Sequence, residues 1–464
     1  MTRSRLVVLA LVLVGVSAAP AAARAGDYIV VLKDGVSVDS AVSKHKSKHG
    51  ADVFHVYKHA LRGYAAKLSR AGLAAVRADS QVQFVAEDSE YALGTSSPAP
   101  LCDDIPERQT QQCLPEGVDR IDGELSSTQS GDGVGTVTGV NVAVIDTGIE
   151  VDHPELNVVG GVNCRQKKPS TKRPFDDELG HGSAVAGLIG ARDNGFGVVG
   201  VAPGVRLWAA NIARNDGLTN GAGIICAVDW VTSTRQDSDP TNDIAVANAS
   251  FSSDPNEENA DDGNCGRTKS DPLHLAICAS VNAGVTYVVA AGNEGVDLAL
   301  ENPASYDEVL TATAMSDFDE KPGALDPPDC NGEDFGQMFG DFDDAPASFS
   351  NYATVAADIN HTLSAPGVCL FTTLHQEPCA GLPAGENCYA LVDGTSFSSP
   401  IIAGTAALCI SRGQCTGTPA QIIQKLRTDA AAYNQANPGY GFVGDPLRPI
   451  PGKYYGWLIR AGLY

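Results

Sequence analysis

A chain of 464 residues with 43% hydrophobic content can bury one large core and a smaller second one, so disorder is excluded as the default. A formal charge of -24 argues against nucleic acid and anionic membrane as partners, because both reward clustered Lys and Arg. Twelve cysteines, with no C-x-x-C spacing, suit disulfides in an exported chain and argue against structural zinc.

Met1 to Ala25 carries Arg3 and Arg5, an apolar run from Leu6 to Val16, and small residues ending at Ala23-Arg24-Ala25. This is the pattern of a secretory signal peptide over residues 1–25. Its apolar run is too short to cross a bilayer, and no later run reaches the roughly 18 residues needed. A secreted, extracellular, monomeric protein is the expectation. Residues 26–93 form a small α+β unit by pattern: strand 28–32, helix 38–49, a strand region in 60–68, helix 70–78 and strand 82–86. Residues 27–93 hold nine basic and eight acidic residues, whereas residues 94–464 hold 20 and 48. Complementary charge could dock the first unit on the acidic remainder, more strongly as His45, His49, His55 and His59 protonate near about pH 6, although surface histidines with no role are the better reading. Residues 94–116, with Ser-Ser-Pro-Ala-Pro, are a linker.

The large domain is placed at residues 117–464. Val140 to Ile145 is the β-branched run of a strand buried on both faces, and it ends in Asp146-Thr147-Gly148. Gly180-His181-Gly182 opens a helix of small residues. Helices near 221–230 and 272–283 alternate with strands at 244–247, 285–291 and 309–314, and the 285–291 strand ends in Gly292-Asn293-Glu294-Gly295. That alternation predicts an α/β domain: a doubly wound, mainly parallel sheet with helices on both faces. Gly394-Thr395-Ser396 precedes an all-apolar helix, with Pro400 expected in its first turn and Ser396 at or beside the N-cap. Taken singly, Asp146 suits a turn, His181 a structural role, Asn293 a left-handed turn and Ser396 a cap. Together, a strand-end Asp, a helix-start His, a strand-end Asn and a helix-start Ser make up a complete acyl-transfer site.

In that order the constellation resembles the subtilisin-like serine peptidases, and most of all the proteinase K group of secreted enzymes. The resemblance rests on Ala143-Val144-Ile145-Asp146-Thr147-Gly148-Ile149, Asp152-His153-Pro154-Glu155-Leu156, Gly180-His181-Gly182, Ala290-Ala291-Gly292-Asn293, Ser364-Ala365-Pro366-Gly367 and Gly394-Thr395-Ser396-Phe397-Ser398-Ser399-Pro400. Tyr28-Ile29-Val30-Val31-Leu32 and Leu61-Arg62-Gly63-Tyr64-Ala65-Ala66-Lys67-Leu68 are similar to the family's inhibitory propeptide. The resemblance implies Ser396 as nucleophile, His181 as general base and acid, Asp146 as its orienter, and Asn293 with the Ser396 N–H as oxyanion donors. It implies polypeptide substrates that add as a strand along Ser250-Phe251-Ser252, and the propeptide as intramolecular inhibitor. Ala290, Ala291 and Gly292 would form one wall of the pocket for the residue before the cut, with room for a large apolar side chain and no acidic floor in view.

Three departures stand out. Ser183-Ala184 replaces the usual Thr-His, Ser252-Ser253 replaces glycines, and Asp317 to Pro346 is an acidic insertion. With Asp254 to Asp262 this insertion could bind structural calcium, although a solvated loop fits better because no EF-hand spacing is present. No metal ligand is assigned, and the chemistry requires no cofactor. Cys102 with Cys113, Cys379 with Cys388 and Cys409 with Cys415 could close short loops, leaving room for one or two free thiols. Asn248 and Asn360 match the glycosylation pattern, and Asn248 is expected to stay unmodified beside the substrate strand. Two functions remain open: a secreted endopeptidase that processes itself somewhere in 91–97, and a peptidase-fold binding protein that cleaves itself once and keeps its propeptide. No G-x-S-x-G surrounds Ser396, which disfavours a lipase.

Overall fold

The computed structural model describes residues 25–93, 97–98, 112–165, 171, 175–214, 216–256, 259–330, 333–375 and 389–464. Nearly all of the signal segment, most of the linker, Cys102, and the Cys379 and Cys388 loop lie outside these residues.

The first unit is a four-stranded antiparallel sheet with spatial order Asp52–Tyr57, Gly63–Leu68, Gly26–Leu32, Val82–Glu87. Strand alternation divides its side chains between two cores. Tyr28, Val30 and Leu32 pack with Val38, Ala41, Leu73 and Val76 of the helices Val38–His49 and Arg70–Arg77. Ile29, Val31, Tyr57 and Ala65 face the other way and join the core of the large domain. The strand Asp52–Tyr57 was not anticipated, because its apolar positions are interrupted by His55.

In the large domain, the spatial order is Val158–Asn163, Arg206–Asn211, Asn141–Asp146, Val246–Ala249, Thr286–Ala290, Leu310–Ser316, with Thr362–Pro366 beside the last. These pairings are all parallel, and only the short Ala345–Pro346 strand joins antiparallel. Val142 and Val144 pack under the helices His181–Gly190 and Thr395–Ser411. Ala143 and Ile145 pack under Gly221–Thr234 and Pro272–Asn282, so helices cover both faces. The chain winds from Asn141–Asp146 to one side, then returns to its other side at Val246–Ala249. That reversal opens a crevice at the carboxyl ends of these two strands, and there the candidate residues collect.

The first unit docks on the face of helices Gly221–Thr234 and Pro272–Asn282. Charge complementarity does not organise this contact, contrary to the sequence-based expectation. The contact is apolar at its centre, and its polar part includes two carboxylates: Asp229 accepts N–H bonds from Lys58, His59 and Ala60 at 3.1, 2.6 and 2.7 Å, and Asp88 accepts the Ala222 N–H at 2.8 Å. The one ion pair seen across it, Glu90 with Arg214 at 2.7 Å, puts the acid on the smaller unit. The histidines also divide. His45 bonds Asp79 at 2.7 Å inside its own unit, and His59 reaches Gln236 at 3.0 Å across the contact. His55 is buried, which lowers its pKa to about 4. Protonating His55 therefore disfavours its buried arrangement.

No described helix is long and apolar enough to cross a membrane. Disulfides join Cys164 to Cys226, Cys265 to Cys278, Cys330 to Cys369 and Cys409 to Cys415. Among the described residues no cysteine is free, so the expected spare thiols are absent there. Only the Cys409 loop among the suggested pairs is described at both ends.

Candidate active site

Asp146 ends the central strand and His181 opens the helix His181–Gly190, both fully buried. His181 Nδ1 lies 2.8 Å from Asp146 Oδ1, which also accepts the Thr147 N–H at 2.7 Å. Facing a carboxylate, Nδ1 carries the proton, so Nε2 presents a lone pair. Nε2 is buried and has no hydrogen-bond partner among the described residues. Burial lowers the His181 pKa, but the Asp146 charge and hydrogen bond, with the Asp177 charge behind, reverse this and raise it. Gly182 admits this packing, because a Cβ there would collide with the Gly148 carbonyl.

Sequence reasoning missed Asp177. Its Oδ1 accepts from Leu179 and Gly180 N–H at 2.9 and 2.8 Å, and its Oδ2 accepts from the Ser183 N–H and hydroxyl at 2.8 and 2.7 Å. Asp177 thus holds the N-terminal turn that carries His181. The Ser183 substitution leaves this bond intact because a serine hydroxyl still reaches the carboxylate. An acid shortly before a glycine and a small-residue helix was the available signal.

The helix Thr395–Ser411 is capped by Gly394, with no side-chain cap bond. Ser396 is therefore the second helical residue and does not cap. Pro400 lies in the second turn rather than the first, and it has no N–H to give the Ser396 carbonyl four residues back. That carbonyl accepts the Ser250 hydroxyl at 2.8 Å instead, and Ser250 is held by Asn248 at 2.8 Å and Ser399 at 2.9 Å. The missing helix bond becomes a tie between the serine's backbone and the 250–252 strand. Ser396 Oγ turns to the Ser250 carbonyl at 3.5 Å, so its bond to His181 is not formed in this arrangement. The His181 ring lies 5.1 Å, centroid to centroid, from that of the adjacent Phe397.

Asn293 stands exposed at the rim, with Oδ1 accepting both the Thr395 N–H and hydroxyl at 2.9 Å. Two donors on Oδ1 leave the amide N–H groups facing away from Thr395 and free to meet an acceptor. Thr395, also missed, is the residue that orients it.

The strand Glu90–Leu93 of the first unit lies between Leu218–Asn220 and Phe251–Ser252, antiparallel to both, with Leu93 opposite Phe251 and Ala92 opposite Ser252. Ser250 and Phe251 are buried and Ser252 half-buried, and Asn248 is wholly buried, as its expected lack of a glycan requires. Ala290, Ala291 and Gly292 lie across from them. Glu301, absent from the sequence-based site, sits buried between these walls.

The two acidic loops form separate groups. Asp261 and Asp262 group with His274, and Asp317 with Asp319 and Asp343. Asp317 and Asp344 already hold the buried Arg120 guanidinium at 2.9 and 2.6 Å. Asp343 accepts N–H groups from Phe318 and Leu325 at 2.8 and 3.0 Å. Arg120 thus competes with a cation for Asp317 at one edge of that group.

A model of the subtilase family matches residues 137–443, and one of the peptidase inhibitor I9 domain matches residues 27–94. Subtilisin NAT of Bacillus subtilis subsp. natto is 29% identical over 411 residues, 87% of this chain and 84% of its own. An extracellular serine proteinase of Thermus sp. (strain Rt41A) is 28% identical over 423 residues, 86% of this chain and 84% of its own. Among solved structures, fervidolysin from Fervidobacterium pennivorans, a keratinolytic enzyme related to subtilisin, matches 95% of this chain with a TM-score of 0.65 and 20% identity. The chain spans 61% of that protein's length, and the likeness is one of fold. With a parallel α/β core that brings an Asp-His pair to a helix-borne serine, and a family match over most of that core, the chain belongs to the subtilase family of serine endopeptidases and carries an I9-type inhibitor domain ahead of it.

Proposed function

We propose that this protein is a secreted serine endopeptidase made as a self-processed zymogen. It comprises a signal peptide at 1–25, a propeptide at 26–93, a linker at 94–116 and a catalytic domain at 117–464. The observation that carries this reading is the buried Asp146–His181 pair, whose Nε2 lone pair is left for the neighbouring Ser396 hydroxyl. Rotation about the Ser396 Cα–Cβ bond brings Oγ from the Ser250 carbonyl toward His181, and such bonds commonly tighten only with substrate bound. Ser396 attacks the scissile carbonyl as His181 takes its proton. Asn293 and the Ser396 N–H, at the positive end of the helix, stabilise the oxyanion. His181 then protonates the leaving amine, and water releases the acyl group by the same path. The strand Glu90–Leu93 supports both the mode of substrate binding and self-cleavage within 91–97.

The second function, a binder that keeps its propeptide, draws on the apolar core shared between the two units. Casein digestion by the secreted protein, with and without a serine-directed fluorophosphonate, decides. Inhibitor-sensitive digestion is expected. Cleavage at the propeptide junction with no digestion at any pH would sink the peptidase and leave the binder.

Asn293→Ala is expected to lower kcat by about 10²- to 10³-fold, the loss of one oxyanion donor as seen in subtilisin, with KM little changed. Turnover at the unmodified rate would remove Asn293 from the mechanism.

Protonation of His55 is expected to favour propeptide release. Burial pushes His55 down to about 4, so the stability of its buried arrangement is complete above about pH 6.5 and declines toward about pH 4. Asp88, which accepts the Ala222 N–H across the contact and is pushed up to about 6 by burial, acts in the opposite sense, as does Asp229, also raised by burial. Release rates from pH 7 to 4, compared between the wild type and His55→Leu, isolate the His55 share. His55→Leu should flatten the profile, and an equal pH response in that variant would exonerate His55.

A further inference from the structure

Resting on the peptidase reading, we infer that Glu301 forms the floor of the pocket for the residue before the scissile bond and selects a basic side chain, lysine or arginine.

The placement follows from hydrogen bonds that tie the 301–302 segment to both walls of the slot. On one side, Ser253 N–H donates to the Asn302 carbonyl at 3.1 Å and Asn302 N–H donates to Ser253 Oγ at 3.0 Å, anchoring the segment to the end of the 250–252 strand. On the other, Asn351 Nδ2 lies 3.0 Å from the Ala291 carbonyl, 3.2 Å from Glu294 Oε2 and 3.3 Å from Glu301 Oε1. Residues 301–302 therefore close the far end of the space between Ser250–Ser252 and Ala290–Gly292. The walls contribute little bulk. Gly292 has φ +100, and a Cβ there would collide with Asn351 Nδ2 and approach Glu294 Oε2 to 2.9 Å, so the glycine lets these polar groups lie along the wall.

Glu301 is 0% exposed and its Oε2 has no donor among the described residues. No described Lys or Arg pairs with Glu301 or Glu294. A buried carboxyl that faces a second carboxyl and no cation is a poor structural element, since either charge alone costs desolvation and both together repel. Burial, then the hydrogen bond and charge of Glu294, push Glu301 up to about 9. A lysine or arginine head entering the slot supplies the missing cation, and the Glu301 proton leaves to solvent. The net charge of -24 would also draw basic chains toward the cleft. The small wall residues, which suggested an apolar preference from sequence, are equally the walls of a channel for a long aliphatic stem with a charged tip.

The test is hydrolysis, by the secreted processed enzyme, of peptide anilides differing only in the residue before the cut. Lysine should exceed norleucine, its uncharged near-isostere, by at least about tenfold in kcat/KM. The ratio should climb as the pH is raised through about 9, because the carboxyl must ionise to receive the cation. Glu301→Gln should bring the lysine-to-norleucine ratio near one and abolish its rise with pH. If that variant does not fold, the wild-type ratio and its pH trend still decide. A wild-type ratio at or below one at pH 9 overturns the inference. Fluorophosphonate labelling of the same preparation separates the failures: labelled, casein-digesting enzyme without lysine preference removes Glu301 alone, while unlabelled, inert protein removes the peptidase reading and this inference with it.

Discussion

Ser396→Ala is expected to lower kcat by about a millionfold and to leave residues 26–93 covalently joined to the secreted chain. In a subtilisin, loss of the nucleophile alone costs about as much as loss of the whole triad, because the three residues act as one unit. The geometry here gives the same expectation. Ser396 backbone is held by the Ser250 hydroxyl and by the helix it opens, so removing Oγ leaves the oxyanion donors and the His181–Asp146 pair in place but without a nucleophile. Stability should hardly move, since Oγ makes only a 3.5 Å contact with the Ser250 carbonyl. N-terminal sequencing of secreted wild-type and variant protein, beside single-turnover assays, checks both parts. A variant that still sheds residues 26–93 would mean that another protease, or another residue, makes the cut.

Asp146→Asn should cost about 10⁴ in kcat. Asp146 Oδ1 serves the Thr147 N–H and His181 Nδ1, while Oδ2 is buried without a partner among the described residues. An asparagine can keep an oxygen in the first position. It then places an amide where no acceptor waits and withdraws the charge that stabilises a buried imidazolium. The pH profile carries the sharper signature. His181 is raised because Asp146, and more distantly Asp177, outweigh burial. Removing the Asp146 charge lets burial dominate, so the His181 pKa falls and the acid limb of kcat/KM moves to lower pH. An unmoved acid limb, or a loss below tenfold, would show that Asp146 neither charges nor orients the base.

Much of the fold was legible where local pattern and burial agree. The run Asn141–Ile145 is apolar at nearly every position because both sheet faces are covered by helices, and so it announces a central parallel strand. The strands Val158–Asn163 and Arg206–Asn211 escaped notice because Gly160, Gly161 and Trp208 break the β-branched pattern that marks a strand. The helix Pro419–Ala436 was also missed, although Thr418 and Gln421 form a capping box before it. Ser396 was placed at the right helix end but given the wrong local role, since a cap and the second helical residue differ by a shift the sequence does not resolve.

The order Asp146, His181, Asn293, Ser396, each at the end of its own element, is set by the sequence alone, because strand ends and helix starts are local features that turn chemistry marks. Which groups stand behind them is decided only by the tertiary structure. Asp177 reaches Ser183 across six residues, but Thr395 meets Asn293 across 102 and Asn351 meets Glu301 across 50. The N-terminal unit, whose charge suggested an electrostatic clamp, docks through an apolar face because alternate residues of its strands are left uncovered by its own helices. Glu301 is the plainest case. In the sequence it is one acid among 56, and only the tertiary structure buries its carboxyl beside that of Glu294 with no Lys or Arg paired to it among the described residues.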